Sequence, residues 1–103
     1  VSEQFALPLE QQRPLFIPLK GEWFDRFADG SKSVEWRAYG PRWNLERVQP
    51  GRRVILSRGY AGARLEGVVR WVHRIPRERA PEAACVIYPG VSHFCAFHVA
   101  LTG

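Results

Sequence analysis

The chain is expected to be mainly β with short helices, an α+β domain built as a partly open β-barrel of five to six strands. Three observations predict this. Short apolar or alternating runs, bounded by glycine and proline, recur along most of its length. Only two stretches read as helix, and both are short. The 103 residues, with a hydrophobic fraction of 46% and an aromatic fraction of 13%, suffice for one modest core.

Residues 1–14 carry two prolines and no apolar period, so they are expected as a surface or disordered tail, with Phe5, Leu7 and Leu9 able to tether it. The folded domain is placed at residues 15–103. Leu15 to Leu19 is an apolar strand whose Pro18 suits an edge. Lys20 to Asp29 is a short helix with Trp23, Phe24, Phe27 and Ala28 at inward spacing, stopped by Gly30 in the left-handed conformation. A strand follows through Val34-Glu35-Trp36-Arg37. Arg42 to Gln49 is a polar connection containing Trp43.

Pro50-Gly51 turns the chain into a buried strand from Arg53 to Arg58. Tyr60-Ala61-Gly62-Ala63 is a glycine-containing hairpin loop. The next strand alternates from Leu65 to Ile75. Leu65, Val69, Trp71 and Ile75 are expected on the apolar face, with His73 as a core histidine, and Glu66, Arg70 and Arg74 on the polar face. Pro76 to Cys85 is a short helix or turn. His93 to Leu101 closes the barrel, with Cys95 in the core and His98 facing solvent.

Composition narrows the function. The formal net charge is +5, and all but Lys20 and Lys32 of the 15 cations are arginine. A small basic domain favours anionic partners, nucleic acid first, although a GC-rich genome also writes arginine wherever a cation is tolerated. No run approaches the ~18 apolar residues of a transmembrane helix. The N-terminus has no basic-then-apolar leader pattern. The chain starts at Val1 rather than Met, as a trimmed chain would. Two cysteines without a secretory signal suggest a reducing cytoplasm, so a cytoplasmic protein is expected, with no membrane association. Cys85 and Cys95 are ten apart with no further ligand at zinc spacing, so no metal and no cofactor are expected.

The segment Gly30-Ser31-Lys32-Ser33-Val34-Glu35-Trp36-Arg37 concentrates the candidate chemistry. Glu35 and Arg37 are two apart and project from one face of a strand. Lys32 enters from the turn. Three charges gathered at one strand end cost desolvation that a surface strand would not recover. Read as a site, Lys32 or Arg37 meets phosphate or base and Glu35 orients one of them. Read structurally, the three are an ion pair knitting strand to helix.

Other residues are of second rank. Trp43 beside Arg42, and Tyr60, are placed to stack on a base. Tyr39 is similar, and Trp36 is expected in the core. Ser57-Arg58 leads from a buried strand into a loop able to present a hydroxyl and a guanidinium. His93 opens a strand after Tyr88-Pro89-Gly90, where loops carry function.

The G-x-K-x-x-E-x-R pattern, with its preceding helix and following strands, resembles the ASCH domains, β-barrels of the PUA-like class. The likeness runs from about Leu15 to Leu101. It implies a cleft that binds RNA or a modified nucleoside, lined by Lys32, Glu35 and Arg37. The loop and stacking arguments add Ser57, Arg58, Tyr60, Trp43 and His93 as expected further members. The family includes small amidohydrolases that cleave N4-acetylcytidine. Gly30-x-Lys32 matches them, and Ile87-Tyr88-Pro89-Gly90-x-x-x-Phe94 is similar to the segment before their last strand. Where they carry threonine, the proposed nucleophile, this chain has Glu35. Their further glutamate sits in a longer helical insertion, and here Glu78 or Glu82 would have to stand in for it. The alternative function is thus a metal-free hydrolase, acting on an N4-acylated cytidine or on RNA, with Lys32 and Glu35 as its working pair. The two-histidine constellation usual for RNA cleavage is not visible.

Overall fold

The expected strands form and join into one sheet, and its two edges define the site. The computed structural model describes residues 7–102. In chain order it contains β1 (Leu15–Leu19), α1 (Gly21–Ala28), β2 (Val34–Ala38), β3 (Arg53–Arg58), β4 (Arg64–Pro76), α2 (Glu82–Ile87) and β5 (His93–Leu101). The strands lie in the order β1-β3-β4-β5-β2. β1 runs parallel to β3, and the remaining pairs are antiparallel. The sheet curls into a half-barrel with β1 and β2 as its edges.

The concave face holds the main core. Leu15, Ile17 and Leu19 of β1, Val54 and Leu56 of β3, Val69 of β4 and Cys95, Phe97 and Val99 of β5 are buried there. Helix α1 adds Phe24 and Phe27, while Trp23 lies at the core margin. Ala28, expected inward, is exposed at the helix end. The helix ends at Gly30, whose φ of +84° is costly for any residue with a β-carbon. Burial pushes the Cys95 thiol up to about 11, as expected for an inert core cysteine. Cys85 and Cys95 are both free thiols.

Part of the expected tail is held to the sheet. Leu9 starts a short 3₁₀ turn and lies so near Gly51 that a β-carbon there would stand 3.3 Å from its Cδ1. Arg52 donates to the Arg13 carbonyl at 3.2 and 2.9 Å, and Arg53 to that of Gln12 at 3.0 Å. Leu7 is exposed. Phe5, the other expected tether, lies outside the described residues.

One expectation fails in β4. Val69 stands opposite Val99, and Trp71 opposite His98, which leaves Arg70 as an extra residue. This bulge exchanges the two faces of the strand. Val72 now packs on the core, and Trp71 is 37% exposed on the convex side. There it leans on the rings of His73 and His98, at 5.1 and 5.8 Å. His73 is exposed rather than core, and His98 is half-buried rather than solvent-facing.

Phe97→Ala should therefore cost about 3–5 kcal/mol, the usual loss for a buried phenylalanine. Trp71→Ala should cost clearly less. Urea unfolding of both variants checks this, and equal losses would return Trp71 to the core.

Candidate ligand cleft at the sheet seam

The edge strands β1 and β2 are not hydrogen-bonded to each other as strands. Side chains from β2 close the gap. Its even-numbered residues face the convex side, so Glu35 and Arg37 point into the half-barrel toward Phe97 and Cys95. Glu35 is 7% exposed. Arg37 holds it by Nε to Oε2 at 2.9 Å and Nη2 to Oε2 at 2.8 Å. The same Nη2 donates to the Pro18 carbonyl on β1 at 3.1 Å. Proline cannot donate to a ladder, but its carbonyl remains available as an acceptor. The guanidinium also lies 5.0 Å above the ring of Trp43.

Lys32 approaches from the turn after α1. Ser31 N–H donates to Asp29 Oδ1 at 2.8 Å, and Lys32 N–H to the Arg26 carbonyl at 3.0 Å, which reverses the chain. The ammonium then lies 5.5 Å from the rings of both Trp23 and Phe27. It donates to the Val34 carbonyl at 2.7 Å and stands 3.9 Å from Glu35 Oε1. That oxygen also accepts the Trp36 N–H at 3.2 Å. Burial holds the Lys32 pKa below its ordinary 10.5; the Glu35 charge opposes this, and Arg26 and Arg37 add to it.

These groups line a cleft of about 430 Å³ between α1, β2 and α2. Trp23 and Arg26 come from α1, Trp36 from β2, and Ala84, Ile87 and Tyr88 from the α2 segment. Trp36, expected in the core, meets Phe94 edge-on at 6.1 Å, and Tyr88 meets the same ring at 6.0 Å. Arg77 fixes this wall by donating to the carbonyls of Tyr88, Val91 and Cys85 at 2.9, 3.1 and 3.3 Å. Glu35 is the only carboxylate lining the cleft among the described residues; Glu78 and Glu82 stay outside it.

The second-rank candidates do not line this cleft, although Trp43 packs against Arg37 from outside it. Ser57 is fully buried opposite Pro18, with its hydroxyl unpartnered. Arg58 is exposed and paired with Asp25 at 3.2 Å. His93 opens β5 without lining the cleft, with Nδ1 3.1 Å from Ser92 Oγ. Trp43 stacks on Phe97 at 5.8 Å, with 12° between the rings. Trp43 and Tyr60 line a neighbouring groove instead. Sequence reasoning missed Trp23 as a lining residue because its helical spacing assigned it to the core. No group of three His, Cys, Asp or Glu suited to a metal ion stands together among the described residues. No helix among them is long and apolar enough to cross a membrane.

Neither the models of known protein families nor the curated proteins contain a match to this chain.

Arg37→Ala strips a buried carboxylate of its closest partner and opens the seam. It should cost about 3 kcal/mol or more. Adding Glu35→Gln to that variant should recover part of the loss, because the orphaned charge is then gone. Denaturant unfolding of the two single variants and the double variant measures the coupling.

Proposed function

We propose that the cleft binds a nucleoside, either free or as one residue of an RNA, in a PUA-like barrel of the ASCH type. The observation that carries this is the convergence of Lys32, Glu35 and Arg37 at the floor of an aromatic-walled cleft. A cleft of about 430 Å³ is of a size that accepts a small polar ligand. Trp23, Trp36 and Tyr88 offer ring faces and edges against which a base can pack. Lys32 supplies donors to a base carbonyl or ring nitrogen. Glu35, clamped by Arg37, acts as a fixed counter-charge rather than a mobile group. The order of strand, helix and G-x-K-x-x-E-x-R strand supports the family assignment.

A second reading has its own supporting observation. A lysine whose pKa is lowered by burial serves as a base more readily than a solvated one. In this reading neutral Lys32 takes a proton from a water as that water attacks the acyl carbonyl of an N4-acylated cytidine. The C–N bond breaks, the amine leaves with a proton, and a carboxylate is released. Glu35 then positions Lys32. The ribonuclease variant of this reading has less support, because His73 and His98 lie with Trp71 on the convex face and His93 lies outside the cleft.

A thermal-shift screen with nucleosides, including N4-acetylcytidine, tests binding, since a ligand of the native state raises the melting temperature. Lys32→Ala should abolish the shift while changing stability by about 1 kcal/mol or less. A variant that unfolds, yet binds normally per folded molecule, would make Lys32 a structural pin. Turnover is separated from binding by chromatographic detection of cytidine.

The sign of the pH response is fixed by the lowered Lys32 pKa. At neutral pH the unfolded chain holds this proton more readily than the folded one. Stability relative to Lys32→Met should therefore rise as pH climbs through the folded pKa, and level off near the ordinary 10.5. Hydrolysis by neutral Lys32 should climb over the same range. Thermal unfolding and initial rates across that range check both.

A further inference from the structure

The brace at Arg37 has a second side. Pro18 and Arg37 line the cleft, and both also line a groove of about 480 Å³ along the free edge of β1. The rest of the groove includes Arg13, Arg42, Arg47 and Arg52, with Trp43 and Tyr60. No aspartate or glutamate lines it among the described residues. Four of its five arginines divide into two kinds. Arg37 is committed to Glu35 and Pro18, and Arg52 to the carbonyls of Arg13 and Arg47. Those two shape the groove. Arg42 and Arg47 are exposed and form no ion pair among the described residues.

Such a concentration of positive charge is unfavourable in the absence of an anion. Burial, and then the nearby Arg47 charge, lower the pKa of the Arg52 guanidinium. A guanidinium's planar donor fork suits phosphate oxygens. Tyr60, 78% exposed, adds an unused aromatic face beside them. Because Arg37 and Pro18 form a wall shared by the two cavities, a base in the cleft and a phosphate in the groove would lie on opposite sides of one side chain.

We propose that Arg42 and Arg47 form a phosphate-binding subsite, which holds a phosphate of the same ligand whose base occupies the cleft. This inference rests on the nucleoside reading above. It adds the chemical class of the ligand: a phosphorylated nucleoside or an RNA strand, rather than a free nucleoside.

The test uses N4-acetylcytidine, its 5′- and 3′-monophosphates, and a trinucleotide carrying it at the centre. Affinities are measured by calorimetry for the native protein, for Arg42→Gln/Arg47→Gln and for Lys32→Ala. Phosphorylated probes should bind the native protein about tenfold tighter or more, as charge-assisted hydrogen bonds allow. Arg42→Gln/Arg47→Gln should lose this gain yet bind the nucleoside unchanged, and its log-log salt slope should fall by about 0.7 for each phosphate that is no longer neutralised. Lys32→Ala should lose all four probes. A gain complete with a monophosphate assigns the subsite to a terminal phosphate, and one needing the trinucleotide assigns it to a phosphodiester; both support the proposal.

If the nucleoside binds but phosphorylation adds nothing, the subsite is overturned and the nucleoside reading stands. The same holds if the gain survives the double substitution. Phosphorylated probes that bind independently of Lys32 overturn the shared ligand. If no probe binds, both readings fail. Circular dichroism of each variant shows whether it is folded before its affinity is read.

Discussion

The structure depends on one bond across an unclosed seam. A half-barrel leaves two edges, and each edge exposes unpaired backbone groups. Here Arg37 reaches from β2 to the Pro18 carbonyl of β1 while its other donor meets Glu35. The seam is thus closed by a side chain whose orientation is set by a buried carboxylate. Breaking either contact loosens the other, because one rigid guanidinium serves both. The cleft and the arginine-lined groove lie on the two flanks of this contact, so the geometry of both follows from it.

The brace also accounts for the charge balance of the site. A buried glutamate alone would be costly. One hydrogen bond and a close ion-pair contact from Arg37, with the nearby Lys32, offset that cost, and the guanidinium packs over the Trp43 ring. Lys32 is in a different position. It has a carbonyl and two aromatic rings around it, but its nearest carboxylate oxygen is 3.9 Å away and already committed. Of the three charges it is the least satisfied by the protein and the most available to a ligand.

Much of this was legible in the residues themselves. β1, β3 and β5 fall at their expected bounds because apolar content, Pro50-Gly51 and Tyr88-Pro89-Gly90 mark their ends in local chemistry. The convergence of Lys32, Glu35 and Arg37 followed from a glycine stop and a period of two. What failed depended on tertiary pairing. The bulge at Arg70 carries no local marker, since alternation in one strand does not reveal how many residues its partner sets opposite. Ser57 and Arg58 were placed by their position at a strand end, but burial opposite β1 claims one and Asp25 the other. The arginine groove was hidden because its members are scattered from Arg13 to Arg52 and meet only through the β1 edge and the loop after β2.

The α2 wall has an evolutionary consequence. Arg77 anchors it through three main-chain carbonyls, which every amino acid provides. The side chains it turns toward the cleft, Ala84, Ile87 and Tyr88, take no part in that anchorage. The segment therefore behaves as an exchangeable cassette. Mutations in it can redraw the shape offered to a ligand while the brace between β1 and β2 stays intact, so selectivity in this architecture can drift faster than the scaffold that supports it.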